Sequence, residues 1–308
     1  MTSRVNRPQS PTHDPVTHAV RTNTVRRRVI QVSDGAARAR TDVLATEEPL
    51  EIRLHPPDGG AHVQVSVTMR TPGHDFELAA GFLFTEGVVR ASEDVKTISY
   101  CTDARLDGDQ QYNIVSVFLR PGATFDADRV TRNFYTTSSC GVCGKGSIDA
   151  IHVRGVAPVR DNGFAVDGRS LRTIATRLRD AQALFAKTGG LHAAAAFDAS
   201  GHLVALREDV GRHNAVDKLV GHAFLGRRLP LDRHVLMVSG RASFEIVQKA
   251  AAAGIPVVAA VSAPSSLACD VAAAFGITLV GFVRDGRFSV YTNTQRIRLP
   301  EDPHTPAV

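Results

Sequence analysis

The chain contains no tryptophan, and aromatic residues make up only 6% of its 308 residues. Proteins that hold single-stranded nucleic acid stack bases on aromatic rings along a basic groove. That composition argues against a nucleic-acid partner. Cysteine is scarce as well. Four thiols (Cys101, Cys140, Cys143 and Cys269) are too few to staple a chain this long, which fits a reducing compartment. Long apolar runs are missing. The longest, Gly254–Ala263, is strand-sized and contains Pro256, whereas a membrane helix needs roughly 20 apolar residues. No membrane association is expected. Residues Met1–Asp34 hold no apolar block, so Arg26-Arg27-Arg28 does not read as a twin-arginine signal and a cytoplasmic location is expected. Neither G-x-x-x-x-G-K-[ST] nor G-x-G-x-x-G occurs, which disfavours ordinary nucleotide hydrolysis and a standard dinucleotide fold.

Charge is unevenly placed. Residues 1–40 hold eight Arg and two Asp, a net of +6, while the other 28 basic and 29 acidic residues nearly cancel. The excess is a property of the N-terminal arm, and residues 1–25, with Pro8, Pro11 and Pro15 among polar neighbours, read as a disordered basic tail.

Residues 26–131 read as a small α+β domain. Strand-like stretches at Arg28–Val32, Leu50–Leu54, His62–Met69, Val95–Cys101 and Gln111–Leu119 surround a helix marked by Phe76, Ala79, Ala80, Leu83 and Phe84, stopped by Gly87. Residues 132–146 are rich in Ser, Thr and Gly and read as a mobile loop between two halves. Residues 147–298 alternate strand and helix: a stripe from Leu171 to Phe185, strands at Leu191–Phe197 and His202–Leu206, then a helix through Val216–Phe224. Strands Val235–Val238, Pro256–Val261 and Ile277–Val283 follow, separated by helices Ala242–Ala253 and Ser265–Phe275, with a last strand at Phe288–Tyr291. This alternation predicts an α/β layered sheet with at least three parallel central strands. Residues 299–308 read as a tail.

Cys140-Gly-Val-Cys143 is the sharpest local motif. Two thiols at this spacing can share a metal, form a disulfide or hand on a sulfur atom. Each use needs thiolate character, which Lys145 and a helix start at Ser147–Ile151 would favour. Structural zinc lacks a second ligand pair. Zinc deaminase chemistry lacks its H-x-E, and Ser139 stands where that motif wants Pro. A thioredoxin-like pair should follow a strand directly. Two incidental loop thiols remain an alternative.

Two strand-to-helix turns, Val238–Ser243 and Val261–Ser266, put small hydroxyl residues and free N–H groups at helix starts. Such ends attract anions, and in open α/β sheets both turns would fall where ligands bind. Arg241 can grip two phosphate oxygens with its planar fork. In the plainer reading, Ser243 and Ser265 simply cap their helices. Arg207–Asn214 reads either as a site edge or as a solvated turn capped by Asn214. His192, at a strand start after two glycines, reads as structural.

Seven strings, taken in order, resemble one family. They are Thr71–Gly87 (TPGHDFELAAGFLFTEG), Ser138–Gly144 (SSCGVCG), Thr188–Ala193 (TGGLHA), Glu208–Lys218 (EDVGRHNAVDK), Ser239–Ser243 (SGRAS), Ser262–Ser266 (SAPSS) and Gly281–Arg287 (GFVRDGR). Together they are similar to the formate dehydrogenase accessory sulfurtransferase (FdhD) family, from about Arg26 to Arg298. The resemblance implies a sulfur carrier that takes persulfide sulfur from a cysteine desulfurase. The sulfur would pass to the molybdenum or tungsten bis(guanine dinucleotide) cofactor of formate dehydrogenase. It further implies a C-terminal domain of the cytidine deaminase type without zinc. Cys140 would carry the persulfide and Cys143 would assist. The cofactor stretch falls on Phe282, Val283, Arg284, Asp285, Gly286 and Arg287. The turns bearing Arg241 and Ser262 would hold the nucleotide phosphates, so GDP should act as a mimic. Partners would be the desulfurase, the catalytic subunit of formate dehydrogenase and a second copy in a homodimer. A chaperone that binds the cofactor or the apo-dehydrogenase without cysteine chemistry is the alternative function.

Overall fold

The computed structural model describes residues 22–101, 103, 112–123, 155–284 and 286–299. It opens with a hairpin, β1 (Thr24–Ser33) and β2 (Ala36–Ala45), turned by Asp34-Gly35 with both residues at positive φ. That dipeptide is the strongest short hairpin signal, because both positions of its turn need the left-handed region. Next come β3 (Glu48–His55), β4 (Val63–Arg70), helix α1 (Asp75–Thr85), β5 (Val95–Tyr100) and β6 (Ile114–Leu119). The four strands form a sheet in the order β4-β3-β6-β5. Leu50, Ile52 and Leu54 alternate onto its inner face and meet Leu78 and Leu83 of α1. Period-two burial on the strand answers helical burial on α1, which is why these short elements pair.

The second part begins with β7 (Val166–Asp167), α2 (Gly168–Ala181) and α3 (Ala183–Thr188). It continues with β8 (His192–Phe197), β9 (Leu203–Asp209), α4 (Arg212–Leu225), β10 (Val235–Val238), α5 (Phe244–Ala252) and β11 (Val257–Ala260). Helix α6 (Ser266–Ala274), β12 (Thr278–Arg284), β13 (Arg287–Thr292) and β14 (Ile297–Arg298) complete it. Six strands make one sheet in the order β13-β12-β11-β10-β8-β9, with β10, β11 and β12 parallel as the sequence predicts. β10 and β11 are buried throughout because helices cover both sides, so their sequences run apolar rather than alternating. Helices α4, α5 and α6 pack one face through Val216, Leu219, Ile246, Val271 and their neighbours. Helix α2 packs the other through Leu171, Ile174 and Leu178. The fold is therefore a mixed, layered α/β architecture.

Helix α4 has a second buried side, and this ties the two parts together. It crosses α1 at a glycine pair. A Cβ placed on Gly81 would stand 1.9 Å from the carbonyl oxygen of Asp217, and one on Gly221 would stand 1.8 Å from that of Glu77. Bare backbones touch here, and any larger residue would force the helices apart. Around the crossing lie buried ion pairs. Lys249 Nζ sits 2.8 Å from Asp217 Oδ1 and donates to Thr85 Oγ1 at 3.0 Å. Lys218 Nζ sits 2.6 Å from Asp209 Oδ2 and donates to the Thr71 carbonyl at 2.8 Å. Arg207 Nη2 donates to Glu77 Oε1 at 2.7 Å, and His222 Nδ1 lies 3.0 Å from the same oxygen.

This settles the segment Arg207–Asn214, which is neither a site edge throughout nor a solvated turn. Gly211 is the N-cap of α4. Asn214 turns inward instead, donating to the Met69 carbonyl at 2.8 Å and to Asp209 Oδ1 at 3.1 Å. The charges that look like surface chemistry in the sequence mostly hold the two parts of the molecule together.

Candidate functional site

The carboxyl ends of β10, β11 and β12 open into a cavity of about 460 Å³. Ligands in open α/β sheets bind at this end of the strands, and the volume suits a small molecule. Ser239 and Val261, each the residue just after its strand, line it together with Val283 and Arg284 of β12 and Gly286 of the following turn. His192 and Gly190 contribute from the start of β8, while Thr176, Arg179, Gln182 and Phe185 contribute from α2 and α3. Two arginines and no carboxylate are among the described lining residues. Among the described lining residues an anionic ligand would meet no like charge.

Stacked turns follow the strand ends and reach the cavity through Ser239 and Val261. The turn after β10 and the turn after β11 lie side by side: Ala242 pairs with Pro264, and Ser262 N–H donates to the Gly240 carbonyl at 3.3 Å. Phe282 N–H then donates to the Ser262 carbonyl at 3.2 Å, which locks β12 onto the same stack. Phe282 holds φ of 54°, a left-handed backbone that an aromatic residue rarely adopts, where β12 departs from regular pairing with β13. Such strain tends to be kept where function needs it. Gly281 beside it has no room for a side chain, since a Cβ would stand 2.9 Å from Pro264 Cδ. The Arg284 guanidinium lies 5.7 Å from the Phe282 ring centroid, so ring and cation share one rim.

The structure places the sequence-predicted residues unequally. Val283, Arg284 and Gly286 line the cavity, and Phe282 sits beside them. Arg287, opposite Arg284 in the β12–β13 ladder, is exposed. Arg241 is exposed, and neither it nor Ser262 lines the cavity; their neighbours Ser239 and Val261 do. Ser265 spends its hydroxyl on capping, accepting from Ala268 N–H at 3.3 Å. Ser243 caps α5 by position only, and its Oγ lies 3.3 Å from His213 Nε2, which is 2.6 Å from Glu245 Oε2. The hydrogen bond from His213 holds the Glu245 carboxyl below the usual range. Cys140, Cys143 and Asp285 lie outside the described residues.

His192 is a wall residue of the cavity rather than a purely structural one. Burial, reinforced by the charges of Arg212 and His213, pushes its pKa down, so its imidazole is neutral at pH 7. Gln182 was not legible as a site residue. It is only 5% exposed, and its Nε2 has no hydrogen-bond partner among the described residues. One signal existed: a polar residue on the helical row Ala175, Leu178, Arg179, Gln182. Among the described residues no group of three or more His, Cys, Asp or Glu side chains can hold a metal ion, and no helix is long and apolar enough to cross a membrane.

Comparison with known proteins agrees with the layout. A sulfur carrier protein FdhD from Streptomyces coelicolor is 53% identical over 277 residues, covering 90% of this chain and 96% of that one. The protein of the same name from Mycobacterium tuberculosis is 53% identical over 278 residues, covering 89% and 98%. A crystal structure from Desulfotalea psychrophila, described as that of a formate dehydrogenase accessory protein, superposes with a TM-score of 0.68 at 24% identity, covering 90% of this chain and all of that one. That likeness supports the fold. The FdhD/NarQ family model matches residues 45–298, and the chain belongs to that family.

Proposed function

We propose that the protein is a sulfur carrier with sulfurtransferase activity that matures the metal cofactor of formate dehydrogenase. The Cys140 thiolate attacks the outer sulfur of a persulfide on a cysteine desulfurase. A new S–S bond forms on Cys140, the donor's S–S bond breaks, and its electron pair leaves on the donor thiolate. Cys143 assists Cys140 or shares the sulfur with it. The outer sulfur then passes to the client, the molybdenum bis(molybdopterin guanine dinucleotide) cofactor, which is cargo here rather than a resident group. The S–S bond on Cys140 breaks, Cys140 leaves as the thiolate, and a reduced metal centre of the client supplies the two electrons that the sulfur gains.

The observation that carries this reading is the cavity at the strand ends. It holds two arginines and no carboxylate among its described lining residues. It also includes Val283, Arg284 and Gly286 of the stretch that the family resemblance assigns to the cofactor. A nucleoside diphosphate suits such a cavity, with Arg179 and Arg284 for the phosphates and neutral His192 and Phe185 for apolar contact.

Mass spectrometry after incubation with a desulfurase and cysteine tests the transfer. The wild-type chain should gain about 32 Da, one sulfur atom, on Cys140. Cys140→Ala should lose that adduct and fail to activate formate dehydrogenase. Full activation by Cys140→Ala would leave a chaperone that needs no thiol. Arg284→Ala should weaken GDP binding about tenfold in calorimetry, the loss of one charge-assisted contact.

A further inference from the structure

The hairpin formed by β1 and β2 has no role in the chemistry above. It precedes most of the stretch matched by the family model, which begins at residue 45. Ten residues per strand at about 3.3 Å each give an arm about 30 Å long. Its tip is exposed on both faces, while Val29 midway along β1 and the base of the arm are partly covered. A lone two-stranded ribbon is marginal in water, so such an arm gains stability from whatever covers it.

Its composition states what that cover must be. Between Thr24 and Ala45 there are five Arg and two Asp. Arg40 pairs with Asp42 at 2.7 Å. Among the described residues Arg26, Arg27, Arg28 and Arg38 have no carboxylate partner. Strand alternation puts Arg26, Arg28, Ile30 and Val32 on one face, and Ile30 and Val32 are 66% and 68% exposed. Guanidinium groups beside bare aliphatic side chains match the centre of a protein interface, where Arg is enriched. Phosphate backbones would satisfy the arginines but not Ile30 and Val32. No aromatic ring lies between Thr24 and Ala45 to stack a base.

The arm also has a definite place. β2 packs on α3, and a Cβ on Gly190 would stand 3.9 Å from Ala45 Cβ. Phe185 of α3 and Gly190 are walls of the cavity. The arm is therefore rooted beside the cavity, and a protein held on it would lie next to the cavity's ligand.

We infer that the β1–β2 arm is a docking element for an acidic, partly apolar face of the protein that receives the cavity's ligand. The identity of that receiver, a formate dehydrogenase catalytic subunit, rests on the function proposed above. The arm's arginines steer the encounter, and Ile30 and Val32 bury once contact is made.

The test uses the full chain and purified apo-formate dehydrogenase catalytic subunit as probe, with binding measured at low and high salt. GDP calorimetry on the same samples reads the cavity independently. Wild-type binding should weaken as salt rises. Arg26→Glu with Arg28→Glu should lower affinity about tenfold or more, chiefly through slower association, with GDP affinity unchanged. Ile30→Ser should weaken binding with little change in its salt dependence. Unchanged affinity in the double Arg variant overturns the inference, as does a wild-type chain that ignores the dehydrogenase or prefers a nucleic-acid duplex. Arm-dependent binding by a chain that takes no GDP would uphold the arm while removing the cavity reading.

Discussion

Replacing Lys249 with Met should be among the most damaging single changes outside the site. The Lys249 and Asp217 side chains are 5% and 2% exposed and meet at 2.8 Å. Burial opposes the charge on Lys249, but the carboxylates of Asp217 and Glu86 outweigh it and raise its pKa. Met keeps the apolar stem and removes the charge. Asp217 would then be a buried carboxylate with the Thr85 hydroxyl, at 2.9 Å, as its remaining described side-chain donor. Breaking a buried pair in this way costs about 3–5 kcal/mol, because one ion is left uncompensated. At about 1.5–2 °C per kcal/mol for a chain of about 300 residues, the unfolding midpoint should fall by about 5–10 °C. Thermal unfolding at pH 7 measures it. The loss should shrink at acid pH, because an unpaired buried Asp217 has a raised pKa and becomes neutral as pH falls through it. Adding Asp217→Leu should restore much of the stability, since an apolar pair can replace a buried ionic one. A loss under about 1 kcal/mol, or a double variant worse than the single one, would refute the reasoning.

Three further changes probe other parts of the molecule. Arg207 and His74 hold the Glu77 carboxyl far below its ordinary value of 4.5, against the opposing effect of burial. Glu77→Gln should therefore cost about 1–2 kcal/mol at pH 7. Because the folded value is the lower one, the wild-type advantage should be whole above pH 4.5 and fade as pH drops towards that folded value, as urea titrations across pH would show. Gly221→Ala should cost at least about 3 kcal/mol in denaturant unfolding, since its methyl would stand 1.8 Å from a carbonyl oxygen. Gln182→Leu should raise the midpoint of the ligand-free protein, because it removes a buried donor that has no partner among the described residues, worth about 1 kcal/mol or more.

Much of the architecture is legible in the residue pattern because burial has a period. Val235–Val238 reads as a covered strand since four apolar residues between turn signals leave little else, and it is β10. The helix through Phe76–Phe84 appears where its stripe puts it. The single stripe Leu171–Phe185 instead breaks at Gln182 into α2 and α3, because Glu208 accepts the N–H groups of Leu184 and Phe185 and starts a new helix. That carboxylate is far away in sequence, so no local pattern announces it. β2 was illegible for the same reason. Ala36–Ala45 has no apolar alternation and becomes a strand by pairing with β1. At the site, Val283, Arg284 and Gly286 were found through the family resemblance, while Gln182 and the wall role of His192 depend on three-dimensional convergence. The segment Arg207–Asn214 shows the opposite case, where charges that suggest a site edge or a solvated turn serve mostly as internal mortar.

The bare contact between Gly81 and Gly221 ties the histories of two distant stretches of sequence together. Neither position can gain a side chain while the other helix stays put, so a hybrid made by exchanging first halves between relatives should fold well only where both donors kept the gap closed. Drift at the front of the chain is thereby policed from its back.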